Sequence, residues 1–157
     1  MAIYVEIEEI TGNVTEAGHE EWIQVDSLQW GIGRAISSEI GRAADRESSQ
    51  PSISEITVTK MMDASSPDLF TEACTGDGKT VTIDFCKTGQ DVETYMQYEL
   101  ENCMISGYSV SSGGDRPVES ISLSFTKITM TYTPTEENGE LGSPIPAGYD
   151  MQTAATI

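Results

Sequence analysis

The only histidine of the chain, His19, is the first residue to test for catalytic chemistry. It lies beside Glu20 and Glu21 in a polar segment that is typical of a turn. Zinc hydrolases use HExxH spacing, and serine hydrolases use a GxSxG nucleophile together with a histidine base. Neither pattern occurs. His19 is therefore predicted to be a solvated loop residue, and we expect no catalytic residues and no enzyme activity.

The three cysteines, Cys74, Cys86 and Cys103, have no CxxC spacing. An odd number argues against a disulfide framework, and a thiol in an apolar strand behaves as a small hydrophobic group. The pattern favours reduced cysteines in a protein made in the cytosol over a redox or metal site.

Two further patterns resemble ligand sites only superficially. The segment GDGKT, residues 76–80, resembles the end of a phosphate-binding loop, but it leads into a predicted strand, and phosphate binding needs a helix N-terminus there. The acidic clusters at 6–9 and 136–137 lack the oxygen-ligand spacing of a calcium loop. We therefore expect no cofactor and no metal.

The strongly acidic composition limits the possible partners. The 157 residues include 26 acidic and 8 basic side chains, for a net charge of −18. Such a charge repels phosphate backbones and anionic lipid surfaces, so neither nucleic acid nor membrane insertion is expected. No apolar run is long enough for a membrane span, and no leader pattern is present. The length suits a single domain covering 1–157.

Apolar residues alternate with polar ones through most of the chain, which predicts strands. Changes of parity near Asp26–Ser27 and near Cys103 indicate bulges or bends in long strands. Seven or eight strands joined by short turns predict a mainly β fold: an antiparallel β-barrel or two-sheet domain with one short α-helix. Residues 134–157, rich in Glu, Gly, Pro and Ser, are expected to form a tail that folds poorly alone.

The one predicted helix follows Ser65. Ser66 is expected to cap it, Pro67 to occupy its first position and Gly76 to end it. The helical spacing of Leu69, Phe70 and Ala73 predicts an apolar stripe against a sheet.

In residues 34–50 apolar and polar residues no longer alternate, and this segment contains three of the eight basic residues. They are predicted to form a long exposed loop, with a helical turn at residues 40–45 as the alternative. Long loops in compact domains are usually functional or disordered.

Several motifs together resemble a known family. They are a strand ending in TK, the helix SPDLFTEAC with its glycine turn, the strand pair MAIYVEIEEITGNV and HEEWIQVDSLQWGIGRA, the segment GGDRPVESISLSFTKITMTYTP and the closing GYDMQTA. In this order and spacing they are similar to the haemolysin-coregulated protein (Hcp) family, the tube subunit of the bacterial type VI secretion system. The resemblance covers essentially the whole chain.

The resemblance implies that the chain assembles as a homo-hexamer into a ring with a wide central hole. Rings stack into a tube inside a contractile sheath, a spike protein sits at the tip, and effector proteins travel in the lumen. The protein would be made in the bacterial cytoplasm and secreted without a signal peptide.

The same resemblance implies that the long loop reaches the next ring. The candidate stacking residues are Ser38, Glu39, Arg42, Asp45, Arg46 and Glu47. The loop departs from many relatives in lacking a glycine cluster and in carrying these charges.

Two other functions remain open at this point. A tail-tube protein of a phage-like or extracellular contractile injection particle would share the barrel and the ring. A monomeric ligand-binding barrel belongs to a different class, and it would stay at the mass of one chain in solution.

Overall fold

The computed structural model describes residues 1–37, 40–41, 47–89 and 92–157. Within them the chain is mainly β with one helix, as the sequence predicts. The strands are β1 (Ala2–Ile7), β2 (Ile23–Val25), β3 (Ser27–Gln29), β4 (Ile32–Gly33), β5 (Ile36–Ser37), β6 (Glu47–Ser48), β7 (Ser52–Ile53), β8 (Ile56–Met61), β9 (Lys79–Lys87), β10 (Glu93–Ser111), β11 (Val118–Ser124), β12 (Lys127–Tyr132), β13 (Ile145–Asp150) and β14 (Ala155–Thr156). The helix α1 spans Ser66–Thr75.

Two antiparallel sheets share the long strand β10. Sheet A has the order β14-β13-β12-β10-β9-β1-β2 and uses the first half of β10. Sheet B has the order β10-β11-β8-β3 and uses the second half. The predicted irregularity near Cys103 is confirmed, because the β9–β10 register shifts between Leu100 and Cys103 and Asn102 has a φ of 50°.

The two sheets are connected along the chain at two places, one on each side. On one side β10 itself passes from sheet A to sheet B. On the other side β2 of sheet A is separated from β3 of sheet B by Asp26 alone, whose N–H donates to the Thr59 carbonyl. This corner confirms the bend predicted near Asp26. The apolar faces of both sheets meet in one core; its most buried members are Val5, Ile23, Ile56, Leu69, Val81, Ile83, Leu100, Ile121 and Leu123.

The described part of the predicted long loop 34–50 contains a short paired segment, in which β5 and β6 form part of a β-ribbon. Strands β4 and β7 pair, then β5 and β6 pair, which extends the β3–β8 pair outward. The hydroxyls of Ser54 and Ser49 accept hydrogen bonds from the N–H groups of Gly31 and Ala35 across the ribbon. We call residues 30–54 the arm. The alternative of a helical turn at 40–45 falls mostly outside the described residues.

The predicted C-terminal tail also contains strands. β13 pairs with β12 over six residues, from Lys127 opposite Asp150 to Tyr132 opposite Ile145, and β14 folds back on β13. In the folded chain, this segment thus extends sheet A by two strands.

The helix differs from the prediction in two details. Ser65, not Ser66, is the N-cap residue, and it makes no side-chain capping bond, while Ser66 is buried. The apolar stripe is narrower than predicted, because Leu69 is fully buried but Phe70 is 59% exposed.

Candidate ring interface

Among the described strands, the second half of β10 forms an open edge of sheet B. Residues 104–111 pair with β11 on one side, and the pairing with β9 on the other side ends at Cys103. This edge segment, MISGYSVS, has no charged residue. Soluble proteins usually protect such edges with charges, proline or short strands, because unpaired N–H and C=O groups attract another strand. The second half of β10 is therefore suited to pair with another chain.

The opposite edge of sheet B is β3, which pairs only with β8 among the described strands. Its residues Ser27, Leu28 and Gln29 are also uncharged. Because successive strands of sheet B alternate in direction, β3 and β10 point in opposite directions. The β3 edge of one copy therefore fits antiparallel against the β10 edge of the next.

A groove of about 180 Å³ lies between the base of the arm and sheet A. It is apolar and is lined from the arm side by Trp30, Ile32 and Ile53 and from the sheet side by Met130 and Tyr149, among others. Ile32 is 58% exposed, and Ile40 near the arm tip is fully exposed. Such side chains are costly to leave in water, so this region is a second candidate for contact between copies.

A buried ion pair fixes the helix to sheet B. Lys60 of β8 and Glu119 of β11 are both fully buried, with 2.6 Å between Nζ and Oε1. The ammonium also donates to Asp63 Oδ1 at 3.0 Å. The pair compensates for the cost of removing both charges from water only because further polar groups complete it.

The remaining hydrogen bonds of this cluster lead to the open edge. The Ser66 hydroxyl, at the start of α1, donates to Glu119 Oε1 at 2.8 Å, and the Tyr108 hydroxyl donates to Oε2. Tyr108 lies in the open segment of β10. The cluster therefore connects helix, sheet interior and edge strand, and it holds the candidate interface in place.

His19 is not a solvated loop residue, so that prediction was wrong. It is only 6% exposed, and its Nε2 lies 2.8 Å from Asp84 Oδ2. Its Nδ1 bonds to Glu16, and its ring packs against Tyr4 and Trp22 at centroid distances of 4.9 and 4.7 Å. The loop that contains it is thereby attached to the outer face of sheet A.

The carboxylates control the charge of this histidine. Burial by itself lowers the pKa of His19, but the hydrogen bonds to Glu16 and Asp84 and the charges of both groups outweigh burial and raise it. The raised pKa means that protonated His19 favours the folded state. This stabilisation is complete below the ordinary value of 6.5 and is lost as the pH rises through the higher value of the folded protein.

Cys86 completes a Cys, His and Asp group that lacks the geometry of a catalytic triad. Its Sγ lies 3.8 Å from His19 Nε2, the same nitrogen that bonds to Asp84. In a triad the nucleophile and the acid bond to opposite ring nitrogens. Burial raises the pKa of the Cys86 thiol, and the side chain is fully buried. The arrangement suits a structural polar cluster.

We expect His19→Gln to destabilise the protein more at pH 6 than at pH 9, because only protonated His19 pairs with two carboxylates. Thermal unfolding of both proteins at the two pH values measures the difference. As the only histidine, His19 also gives a single pair of ring C–H resonances in NMR, whose shared titration midpoint should lie above 6.5. A midpoint below 6.5 would mean that burial dominates.

Most of the predicted stacking residues cannot be placed. Ser38, Glu39, Arg42, Asp45 and Arg46 lie outside the described residues. The sixth, Glu47, has its backbone in β6, paired with Ser37. On either side of these residues, the described strands pair as β4 with β7 and β5 with β6.

No group of His, Cys, Asp or Glu in the described ranges could hold a metal ion. No helix in the same ranges has the length and hydrophobicity needed to span a membrane. The uncharged edges of sheet B and the exposed apolar side chains of the arm give this mainly β chain surfaces that are suited to contact with other chains.

Comparison with known proteins identifies the family of the chain. The family model described as type VI secretion system effector, Hcp, matches residues 4–132. The chain belongs to the Hcp family. No curated protein matches it by sequence.

Solved structures agree with this assignment. A structure described as a type six secretion system protein is 28% identical, with 99% of each chain covered and a TM-score of 0.92. Hcp1 from Salmonella typhimurium is 22% identical over 99% of this chain and 98% of its own, with a TM-score of 0.79. A type VI secretion system effector from Yersinia pestis is 23% identical over 94% and 98%, with a TM-score of 0.74. At 22–23% identity, the last two show the shared fold alone.

Proposed function

We propose that residues 1–157 form one tube domain of a type VI secretion system, in which six copies close into a ring and rings stack into a tube. The observation that carries the proposal is the pair of open, uncharged edges on sheet B. A head-to-tail contact that joins two different edges repeats from copy to copy, and it closes when the rotation divides the circle.

Strand direction supports this arrangement. Each copy offers four alternating strands, β10, β11, β8 and β3. When the β10 of the next copy is placed beside β3, neighbouring strands still run in opposite directions, so no parallel pair is formed. The three residues of β3 then pair with part of the eight-residue edge of β10, and main-chain hydrogen bonds of this kind are the usual basis of strand addition between chains.

The proposed role is structural and not enzymatic. The tube would be expelled by a contractile sheath, with a spike protein at its tip and effector proteins in its lumen. The protein would act in the bacterial cytoplasm and then outside the cell. Membership of the Hcp family favours this role over a tail tube of another contractile particle, and the open edges favour it over a monomeric ligand-binding barrel.

The mass in solution tests the ring. Light scattering coupled to size-exclusion chromatography should give about 102 kDa, six times the 17.0 kDa of one chain. A stable species of 17.0 kDa across micromolar concentrations would contradict the ring and support the monomeric barrel.

The arm is the proposed contact between rings. We expect Arg42→Glu combined with Arg46→Glu to leave hexamers intact and to abolish stacked tubes and secretion. An exposed ion pair contributes only about 0–1 kcal/mol, but a sixfold ring repeats each contact six times. Electron microscopy of tubes and the amount of protein in the culture medium measure the effect.

The matched control is Lys87→Glu with Lys127→Glu, which changes the net charge equally but lies on sheet A. Tubes should persist in this control. Loss of the hexamer in the arm variant would place the arm within the ring interface, and unchanged tubes would leave it without a role in assembly.

A further inference from the structure

The loop between β1 and β2 lies on the outward face of sheet A and is attached there by one side chain. Among residues 11–21, all of which the structure describes, His19 has the only buried side chain. Backbone hydrogen bonds close the base of the loop: Gly12 N–H to the Glu21 carbonyl, Val14 N–H to the Trp22 carbonyl and Glu21 N–H to the Val14 carbonyl. We call residues 11–21 the His19 loop. Because its base is closed, the loop can move as one unit when the contacts of His19 weaken.

Two side chains of β9 are buried beneath this loop. Asp84 is 5% exposed and Cys86 is fully buried. Val81 and Ile83 of the same strand belong to the core between the sheets, so the alternation of the strand directs Asp84 and Cys86 to the outward face. The two side chains are therefore buried by the His19 loop and by their neighbours on the sheet, and not by the core.

The two hydrogen bonds of His19 require a proton on each ring nitrogen. Nδ1 bonds to Glu16 in the loop, and Nε2 bonds to Asp84 in the sheet. A carboxylate only accepts hydrogen bonds, and a neutral imidazole has one N–H group. Neutral His19 can therefore donate to one carboxylate while it presents a lone pair to the other. The loop is attached most firmly to the sheet when His19 is protonated.

The other groups packed against the ring keep their protons longer than His19 does. Tyr4 on β1 and Trp22 next to β2 contact the ring, and Cys86 Sγ lies 3.8 Å from Nε2. Burial raises the pKa of the Tyr4 hydroxyl above its ordinary value of 10.0 and the pKa of the Cys86 thiol above 9.0. As the pH rises from 6, His19 loses its proton before either of them.

We propose that the His19 loop is a pH-sensitive cover of sheet A, which is closed while His19 is protonated and opens more often when His19 is neutral. Opening exposes Asp84 and Cys86 to solvent. Asp84 can stay in the sheet, because Gln97 Nε2 donates to its Oδ1 at 2.8 Å and Thr94 Oγ1 donates to its Oδ2 at 3.3 Å. The loop can therefore open without the unfolding of another element.

The pKa of His19 sets the size of this effect. In the open loop the side chain is in water and has the ordinary value of 6.5, whereas the closed loop raises its pKa. Protonation therefore favours the closed loop fully below 6.5, and this preference is lost as the pH rises through the higher value. If the NMR midpoint lies one unit above 6.5, the open population must rise roughly tenfold between pH 6 and pH 9.

Cysteine labelling measures the opening. The rate at which iodoacetamide modifies each cysteine is followed by mass spectrometry at pH 6 and pH 9, for the folded protein and for the protein unfolded in guanidinium at the same pH. The ratio of the unfolded to the folded rate is the protection of that cysteine, and it removes the effect of pH on the thiol itself. The protection of Cys86 should fall between pH 6 and pH 9 by the factor that the His19 midpoint requires.

Cys103 is the internal control, because it is buried in the core between the sheets. Its protection should be the same at both pH values. A parallel fall at Cys103 would show that the whole domain loosens, and an unchanged protection of Cys86 would show that the loop stays closed. Either result would overturn the inference, and neither bears on whether the chain forms a ring.

A pair of variants tests the role of the carboxylate in the loop. Glu16→Gln removes one of the two charged acceptors of His19, so the fall in Cys86 protection should be smaller than in the wild type. Glu20→Gln changes the net charge equally at an exposed position of the same loop, and it should behave as the wild type. His19→Gln should make the protection of Cys86 independent of pH. If Glu16→Gln retains the full pH dependence, the charge of Glu16 does not hold the loop closed and the inference is wrong.

Discussion

Two lysines on the open edge of β10 should convert the proposed ring to monomers. In the double variant Met104→Lys and Val110→Lys, both substituted side chains are 48% exposed in the single chain, so folding should be little affected. In the ring each would place a charge where the strand of the next copy must pair, and burying an unpaired charge is costly. The mass should fall from about 102 kDa to 17.0 kDa.

The control is Met61→Lys with Val118→Lys. These residues are 44% and 40% exposed and face each other on β8 and β11, inside sheet B and away from its edges. The two double variants have the same residue types and the same change in charge. The control should remain a ring, and if the edge variant does too, β10 is not the contact between copies.

The second large effect should come from the buried ion pair. Lys60→Met leaves Glu119 fully buried without its counter-ion, and such a change typically lowers the free energy of unfolding by about 3–5 kcal/mol. For a chain of this size that is a fall of roughly 10 °C in the midpoint of thermal unfolding. Protein concentration must be fixed, because assembly also stabilises the fold.

A double-mutant cycle separates the ion pair from the rest of the cluster. Lys60→Met with Glu119→Gln should lose less stability than the sum of the two single changes, because no buried charge is left without a partner. Lys79→Met breaks the pairs with Glu9 and Glu72, whose side chains are 75% and 21% exposed, and because neither partner is left fully buried it should have little effect. Additive losses in the cycle would show that the two residues contribute separately.

Much of the fold was predictable because strand alternation is a local signal. The same alternation also indicates the buried ion pair, which was not among the predictions. Lys60 has the parity of Ile56 and Val58, and Glu119 has that of Ile121 and Leu123, so the pattern itself places both charges on the buried face. A lysine and a glutamate at buried positions of two strands indicate that the two side chains form an ion pair with each other.

The remaining features depend on distant parts of the chain. His19 is separated by 65 residues from Asp84, which buries it, and nothing near His19 in the sequence indicates that contact. The open edge of β10 could not be predicted either, because it depends on where the pairing with β9 stops. Apolar and polar residues do not alternate along the described strands of the arm because these strands are two residues long, and in β4 and β5 both residues are exposed.

The sharing of β10 between the two sheets has a mechanical consequence. At 3.3 Å per residue its 19 residues follow a path of about 60 Å, and β11 and β12 accompany it on the same side almost without a break. The two sheets therefore cannot slide apart as separate bodies. A load applied along this strand is borne by many hydrogen bonds in shear, which would suit the proposed role as a subunit of an expelled tube.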